Sequence, residues 1–466
     1  MLSPFVKPRD LGGRTAKGKE RMSGHRLIVL GVVIAALLGG TAYVYSRPVP
    51  TSSVSVTFVQ NVDGSLAISY DWDRPQSTLA FNKLPDGYRA RQWKLENDGY
   101  TFTRSNEIRR DDRRKFSHAE INASPDVNRL SKDYQPVVHY GNAGVLIYTG
   151  HFWPVDQDGK RAEARFNFAP LPDSAVFSFG EHASEFRSWQ SPINHPAFVY
   201  MGPMKPLETE QVIALTDPET PAWIKQEFNA VVPRSFDVLS DIFGYGPDHK
   251  PNLFLTVRLG DDPGRLSYAG DALPDQFQIT LEGQGWAQPS EKGRKVFVHS
   301  TVHEAVHLWQ AVARPSASGV PGWLHEGAAD AITAEIMVTT GLWDGADFHE
   351  DEVRARKECA ERLYYGPISS AEKRGDFRAL YACGQVIAQA VSLADKSSTG
   401  EFWRAFIGRA EGGGKGYDDE MYFALVADRT NNPAFARTLR RFARTPFADP
   451  ERAINQLFDE ASAVSR

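Results

Sequence analysis

Two histidines four residues apart, with a glutamate beside the first, constrain this chain more than any other feature. The stretch is Val302-His303-Glu304-Ala305-Val306-His307. Each helical residue turns the chain by about 100°, so His303 and His307 share one face, one turn apart. Two imidazoles so placed can hold one divalent ion, and Glu304 can reach a water on it. The flanks suit a helix: Val296, Phe297, Val302, Ala305, Val306, Leu308, Trp309 and Val312 supply apolar faces, and Pro315 ends it. A hydrolytic zinc site usually takes three protein ligands and leaves the fourth position to water. Glu326, in a second helical stretch from about Trp323 to Thr340, is the candidate for the third. Asp330 lies four residues further on the same face, where a carboxylate can orient a ligand histidine through its outer ring N–H.

The plain alternative is an amphipathic helix that carries two histidines by chance. Glu326 and Asp330 at this spacing favour the metal reading. Zinc would then polarise a carbonyl and acidify water, and Glu304 would move the proton. His299, four residues before His303, lacks an intervening glutamate and reads as a helix-start or outer-sphere histidine. His325 points about 100° away from Glu326, toward the cleft or the surface.

H-E-x-x-H, eighteen residues and then a glutamate within Trp323-Leu324-His325-Glu326-Gly327 resembles the gluzincin metallopeptidases. The likeness is to the aminopeptidase-N-like and glycyl-aminopeptidase-like groups, with their thermolysin-type catalytic domain. Trp309 fits their H-x-W habit. Tyr381 in Leu380-Tyr381-Ala382-Cys383-Gly384 resembles the segment that carries their transition-state tyrosine; Tyr364, Tyr365 and His349 are fallback donors. Ser191-Pro192-Ile193 and Phe243-Gly244-Tyr245-Gly246-Pro247 resemble landmarks of the glycyl-aminopeptidase group. The resemblance spans roughly residues 164–389. It implies Zn2+ held by His303, His307 and Glu326, catalysis by Glu304 and Tyr381, and a peptide or protein substrate. One departure stands out: the G-x-M-E-N strand that holds the substrate amine in aminopeptidase-N-like enzymes has no matching glutamate near Gly270-Asp271-Ala272-Leu273-Pro274. A zinc endopeptidase, or an idle binding module of the cell envelope, is therefore the alternative to an aminopeptidase.

Around this centre the chain reads as α+β. Residues 1–26 form a basic polar tail, with seven Lys or Arg against Asp10 and Glu20. Residues 27–45 carry no charge over nineteen positions, enough for one membrane-spanning helix. The preceding positive charge keeps the N-terminus cytoplasmic and sends the rest across, to the periplasmic side of a bacterial inner membrane. A cleaved signal peptide is the rival, disfavoured by the long tail and the absence of an A-x-A site. Residues 46–53 read as a linker. Residues 54–205 show strand alternation and predict a mostly antiparallel β domain, a sandwich by preference. Residues 206–466 form the catalytic domain with a helical C-terminal part.

Within it, Ala222 to Phe243 predicts a helix that Pro233 breaks or kinks. Asn252 to Val257 predicts a buried strand. Gln276 to Leu281 predicts an alternating strand, which the resemblance places at the edge of the cleft. The net charge of −5 gives no reason to expect a nucleic-acid partner. The cluster from Arg109 to Lys115, interrupted by Asp111 and Asp112, reads as a solvated loop. Gly412 to Gly416 lacks the outer spacing of a phosphate loop. Cys359 and Cys383, the only two cysteines, lack metal-type spacing. They are either a disulfide between two helices or a pair of buried thiols.

Overall fold

From Ser53 to Gly202 apolar residues alternate with polar ones, and that period lays down strands. Val54, Val56 and Phe58 point inward along Ser53–Gln60, which pairs antiparallel with Leu66–Gln76 through the Asp63-Gly64 turn. Ser53–Gln60 also pairs in parallel with Glu163–Ala169. The computed structural model describes residues 53–466, apart from 83, 85–86, 104–105, 126–129, 131–132, 142–143, 156–160, 179–180, 184–186, 191–195, 248, 311–320 and 414–416. The expected tail, span and most of the linker fall outside the described residues, as does Ser191-Pro192-Ile193. Among the described residues no helix is long and apolar enough to cross a membrane.

The β region holds six-, four- and five-stranded sheets rather than the two of a sandwich. Their shared interior is rich in aromatics, with Trp93 stacked on Phe152 at 4.8 Å. The basic cluster is only partly loop. Arg109 and Arg110 end the strand Glu107–Arg110, and the exposed Arg110–Asp112 pair follows in a turn.

A further sheet carries the site. Its strands are β1 (Leu207–Glu208), β2 (Ile213–Thr216), β3 (Asn252–Arg258), β4 (Ser267–Leu273) and β5 (Gln276–Glu282), in the order β1-β2-β3-β5-β4. β2, β3 and β5 are parallel, while β4 runs antiparallel to β5 at the edge. On one face Leu253, Leu255, Phe277 and Ile279 pack under helices. On the other, Gln276 ties the sheet to the β region. Its Oε1 accepts from Phe198 N at 2.8 Å, and its Nε2 donates to Phe198 O at 2.8 Å and to Ser178 Oγ at 3.0 Å.

This corrects one expectation. Gln276–Glu282 is interior, buried nearly throughout, and Ser267–Leu273 is the edge strand. The alternation in β5 reflects one apolar and one polar wall, both covered, not one wall facing water.

Helix α1 (Ala222–Phe243) runs unbroken through Pro233. The proline removes the bond to the carbonyl of Asn229, but Asn229 is exposed and water can satisfy it. Then come α2 (Glu291–Gln310), α3 (Gly322–Thr339), α4 (Gly345–Leu363) and α5 (Phe377–Asp395). The helices Thr399–Gly413, Asp419–Arg429, Pro433–Arg444 and Pro450–Val464 complete the C-terminal part. Asp344 caps α4 reciprocally with Asp347.

Two features fix α5. Cys383 is disulfide-bonded to Cys359 of α4. Gly384 meets Gly327 of α3 backbone to backbone: a Cβ on Gly384 would lie 2.0 Å from the Trp323 carbonyl, and one on Gly327 would lie 2.2 Å from Gly384.

Candidate metal centre and its cavity

The helix α2 is buried along its second half because it lies between the sheet and α3. Trp309 anchors it, donating its indole N–H to the Tyr245 carbonyl at 2.7 Å and packing edge-on against Phe236. The segment Phe243-Gly244-Tyr245-Gly246-Pro247 therefore touches the histidine helix directly. With α2 so held, His303 and His307 face α3.

Three ligand-type atoms converge there. His307 Nε2 lies 3.1 Å from His303 Nε2, and Glu326 Oε2 lies 3.2 Å from the first histidine and 3.3 Å from the second. His303, His307 and Glu326 form the one metal-type cluster found among the described residues.

The outer nitrogens explain the inner ones. His303 Nδ1 is 2.8 Å from Asp330 Oδ1, and a carboxylate only accepts, so Nδ1 carries the proton. His307 Nδ1 is 2.7 Å from Gln310 Oε1. The Gln310 amide is oriented by its Nε2, which donates to the His325 carbonyl at 3.2 Å. With both rings neutral, their Nε2 atoms would present lone pairs to each other and to a carboxylate oxygen. Three lone pairs at this separation repel unless a cation lies between them. Zinc bonds of about 2.0–2.1 Å at tetrahedral angles would set ligand atoms about 3.3–3.4 Å apart, close to the distances found. The donor set fits zinc.

The electrostatics have the same sense. Burial disfavours the charged form of His303, yet Asp330 and Glu326 outweigh it and hold its pKa well above the ordinary value. His307 is raised likewise, burial being overcome chiefly by Glu326. Burial pushes Glu326 up, but the two histidines hold it well below the carboxylate range. The site calls for positive charge.

Glu304 is buried beside this cluster, and its pKa is raised, first by burial. Its carboxylate lies against the backbone of β4: a Cβ on Gly270 would come within 2.0 Å of Glu304 Oε1. A methyl there would have to displace the Glu304 carboxylate or the strand.

Tyr381, on α5, reaches the same place, its ring centroid 5.7 Å from that of His303. Removal from water and the carboxylates of Glu326, Glu304 and Asp330 raise its pKa. The Gly327–Gly384 contact makes this reach possible, since Gly327 follows Glu326 and Gly384 lies one turn past Tyr381.

These groups open on a cavity of about 1000 Å³, which the β region also lines through Tyr134 and Gln135. His299 sits mid-helix on its wall rather than at a helix start. His325 packs against His307 with ring centroids 4.6 Å apart, and its pKa is pushed down to about 3 by burial and by His307. The fallback donors do not reach the cavity: Tyr364, Tyr365 and His349 stand exposed on or just beyond α4.

Sequence reasoning missed Gln310 and Gly270. Gln310 carries a weak signal, lying three residues after His307 on the same helix face. Gly270 carries none without the register of β4.

No family model and no curated protein matches the chain. Solved structures do. An aminopeptidase N family protein from Idiomarina loihiensis matches with a TM-score of 0.64 at 10% identity, over 87% of this chain and 78% of that one. Yeast LTA4 hydrolase in complex with bestatin matches with a TM-score of 0.51 at 10% identity, over 86% and 68%. Legionella pneumophila aminopeptidase A in complex with aspartic acid matches with a TM-score of 0.50 at 12% identity. That match covers 85% of this chain and 49%, about half, of the Legionella protein. The class defined is thus the aminopeptidase-N-like fold that the zinc motif resembles. At these identities the likeness is one of fold.

Proposed function

We propose that this chain is a zinc metallopeptidase of aminopeptidase type, tethered by residues 27–45 with its catalytic region on the extracytoplasmic side. The observation that carries the reading is the convergence of three lone pairs, from His303, His307 and Glu326, beside the buried Glu304. His303, His307 and Glu326 would hold the zinc ion, with Asp330 and Gln310 fixing the two rings. When bound, zinc supplies Lewis acidity to the scissile carbonyl and to the attacking water. Glu304 takes the proton of that water and passes it to the leaving amine; its raised pKa suits both transfers. Tyr381, kept protonated by its neighbours, donates its O–H to the oxygen that gains negative charge. The edge strand β4 offers main-chain groups to an extended peptide. The aminopeptidase reading draws support from the aminopeptidases among the structures of similar fold, and the extracytoplasmic side from the Cys359–Cys383 disulfide, which needs an oxidising compartment.

The test is metal content and peptide cleavage in the detergent-solubilised full chain. Wild type should hold one zinc, lost in His303→Ala and Glu326→Ala and kept in an inactive Glu304→Gln. Cleavage confined to free N-termini supports an aminopeptidase, and cleavage of blocked peptides makes it an endopeptidase. Zinc with no turnover of any peptide indicates a binding module, and protein unable to take up zinc refutes the reading. Release from membranes by alkaline carbonate would refute the tether.

A further inference from the structure

Opposite β4, the helix α4 presents Asp351, Arg354 and Glu358 to the cavity, and it does so around a buried anchor. Asp351 is buried, and its Oδ2 accepts from Gln385 Nε2 of α5 at 2.5 Å. Its Oδ1 accepts from Arg354 Nη2. The disulfide from Cys359 to Cys383 holds α4 to α5 beside this contact. One guanidinium nitrogen of Arg354 is thereby held by a buried, braced carboxylate.

Its donor face is open. Of five guanidinium N–H groups, one bonds Asp351. Glu358 stands 3.9 Å away and is shared with Arg362 at 3.9 Å and Arg378 at 3.7 Å. The Arg354 side chain is 51% exposed, and it is exposed into the cavity. It lines the same cavity as Asp330 and Tyr268. A guanidinium needed only to neutralise Asp351 has no reason to present its fork to a substrate cavity. Planar, bidentate donors of this kind match a carboxylate.

We propose that Arg354 is a specificity-determining residue that binds a carboxylate of the peptide substrate, either the C-terminal carboxylate of a short peptide or an acidic side chain near the cleaved bond. The assignment rests on the peptidase reading.

The test uses zinc-loaded full-length protein with Ala-Ala-Ala as free acid, the same peptide as C-terminal amide, and amides with aspartate at the second or third position. The readout is the ratio of kcat/KM for each carboxylate peptide over the neutral amide. Wild type should favour at least one carboxylate peptide by about tenfold or more, the size of a charge-assisted bidentate contact. The free acid being favoured assigns the C-terminal carboxylate; an aspartyl amide being favoured assigns the side chain. Arg354→Gln should bring that ratio to within about twofold of unity, and Arg354→Lys should keep part of it. A ratio near one in wild type overturns the proposal. So does an unchanged ratio in Arg354→Gln, since a purely structural arginine would weaken all peptides alike. If wild type cleaves none of them, the aminopeptidase reading fails for such peptides and calorimetric binding of the same peptides decides the anchor alone. A carboxylate preference in Kd that Arg354→Gln abolishes upholds it; equal affinities, or no binding, overturn it.

Discussion

Replacing Gly270 by alanine should silence catalysis while leaving the metal in place. The added methyl would lie 2.0 Å from Glu304 Oε1, 2.4 Å from its Cδ and 2.7 Å from its Cγ. Ordinary contact begins near 3.4 Å, so the carboxylate must retreat by about 1.4 Å or β4 must move. The strand is held by a seven-residue pairing with β5, so the side chain gives way first. A displacement of about 1 Å at a reacting group costs roughly 100-fold in rate, or about 2.7 kcal/mol of transition-state stabilisation. Overpacking itself costs about 1–3 kcal/mol of stability, little enough for a chain of this size to stay folded. None of His303, His307 and Glu326 is among the closest contacts of that methyl, so zinc stoichiometry should match wild type. The assay combines kcat/KM, zinc per chain by plasma mass spectrometry and thermal unfolding, with Glu304→Gln alongside. Wild-type turnover in Gly270→Ala, or loss of zinc together with activity, would refute the placement of the base against β4.

Four further outcomes follow from the same geometry. Asp330→Asn should weaken zinc binding by roughly 10- to 100-fold with the fold intact, measured by competition with a chelator. Tyr381→Phe should lower kcat by roughly 100-fold or more with KM little changed; an equal rise in KM would instead mark the hydroxyl as a ground-state contact. Gly384→Ala should destabilise by about 3 kcal/mol or more, because its methyl would meet the Trp323 carbonyl, whereas Gly408→Ala, in open space on a later helix, should be neutral or stabilising by up to about 1 kcal/mol. Zinc affinity should fall as pH falls. His303 and His307 have raised pKa values, so in the metal-free site protons compete from above the ordinary histidine range, costing about tenfold per pH unit for each proton displaced. Affinity that does not change between about pH 6 and 8 would contradict this.

What was legible in the chain is what local spacing controls. His303, Glu304 and His307 share a helix, so their relative placement follows from helical geometry. Glu326 and Asp330 share another, and the structure brings both to the first pair. Tyr381 was legible only by resemblance, since nothing in Leu380-Tyr381-Ala382 shows which way α5 will lie. The edge strand was legible only by its match to the G-x-M-E-N position, because Tyr268-Ala269-Gly270-Asp271-Ala272 has weak strand propensity and no alternating apolar face. Its conformation comes from pairing with β5, a tertiary effect. Gln310 looked like any polar helix residue, although burial leaves none of it exposed. Pro233 argued for a break that an exposed Asn229 carbonyl makes unnecessary.

The deeper limit is that this centre is closed by backbone approach as well as by side chains. Gly270 lets a strand touch the base, and the Gly327–Gly384 crossing lets Tyr381 reach Glu326. In both cases the glycine matters because another segment, distant in sequence, has no room for a methyl. A motif reports which groups do the chemistry; it does not report the clearances that bring them within reach. The aspartate-anchored Arg354 belongs to the same category, since its exposure to the cavity depends on how α4 and α5 are joined. A chain could keep every ligand of this site and still lose its function through a single methyl at position 270 or 384. The pair Gly270→Ala and Glu304→Gln therefore bears most directly on the site. Inactivity with full zinc in both would show that the reaction depends on the position of one carboxylate, and that β4 sets that position.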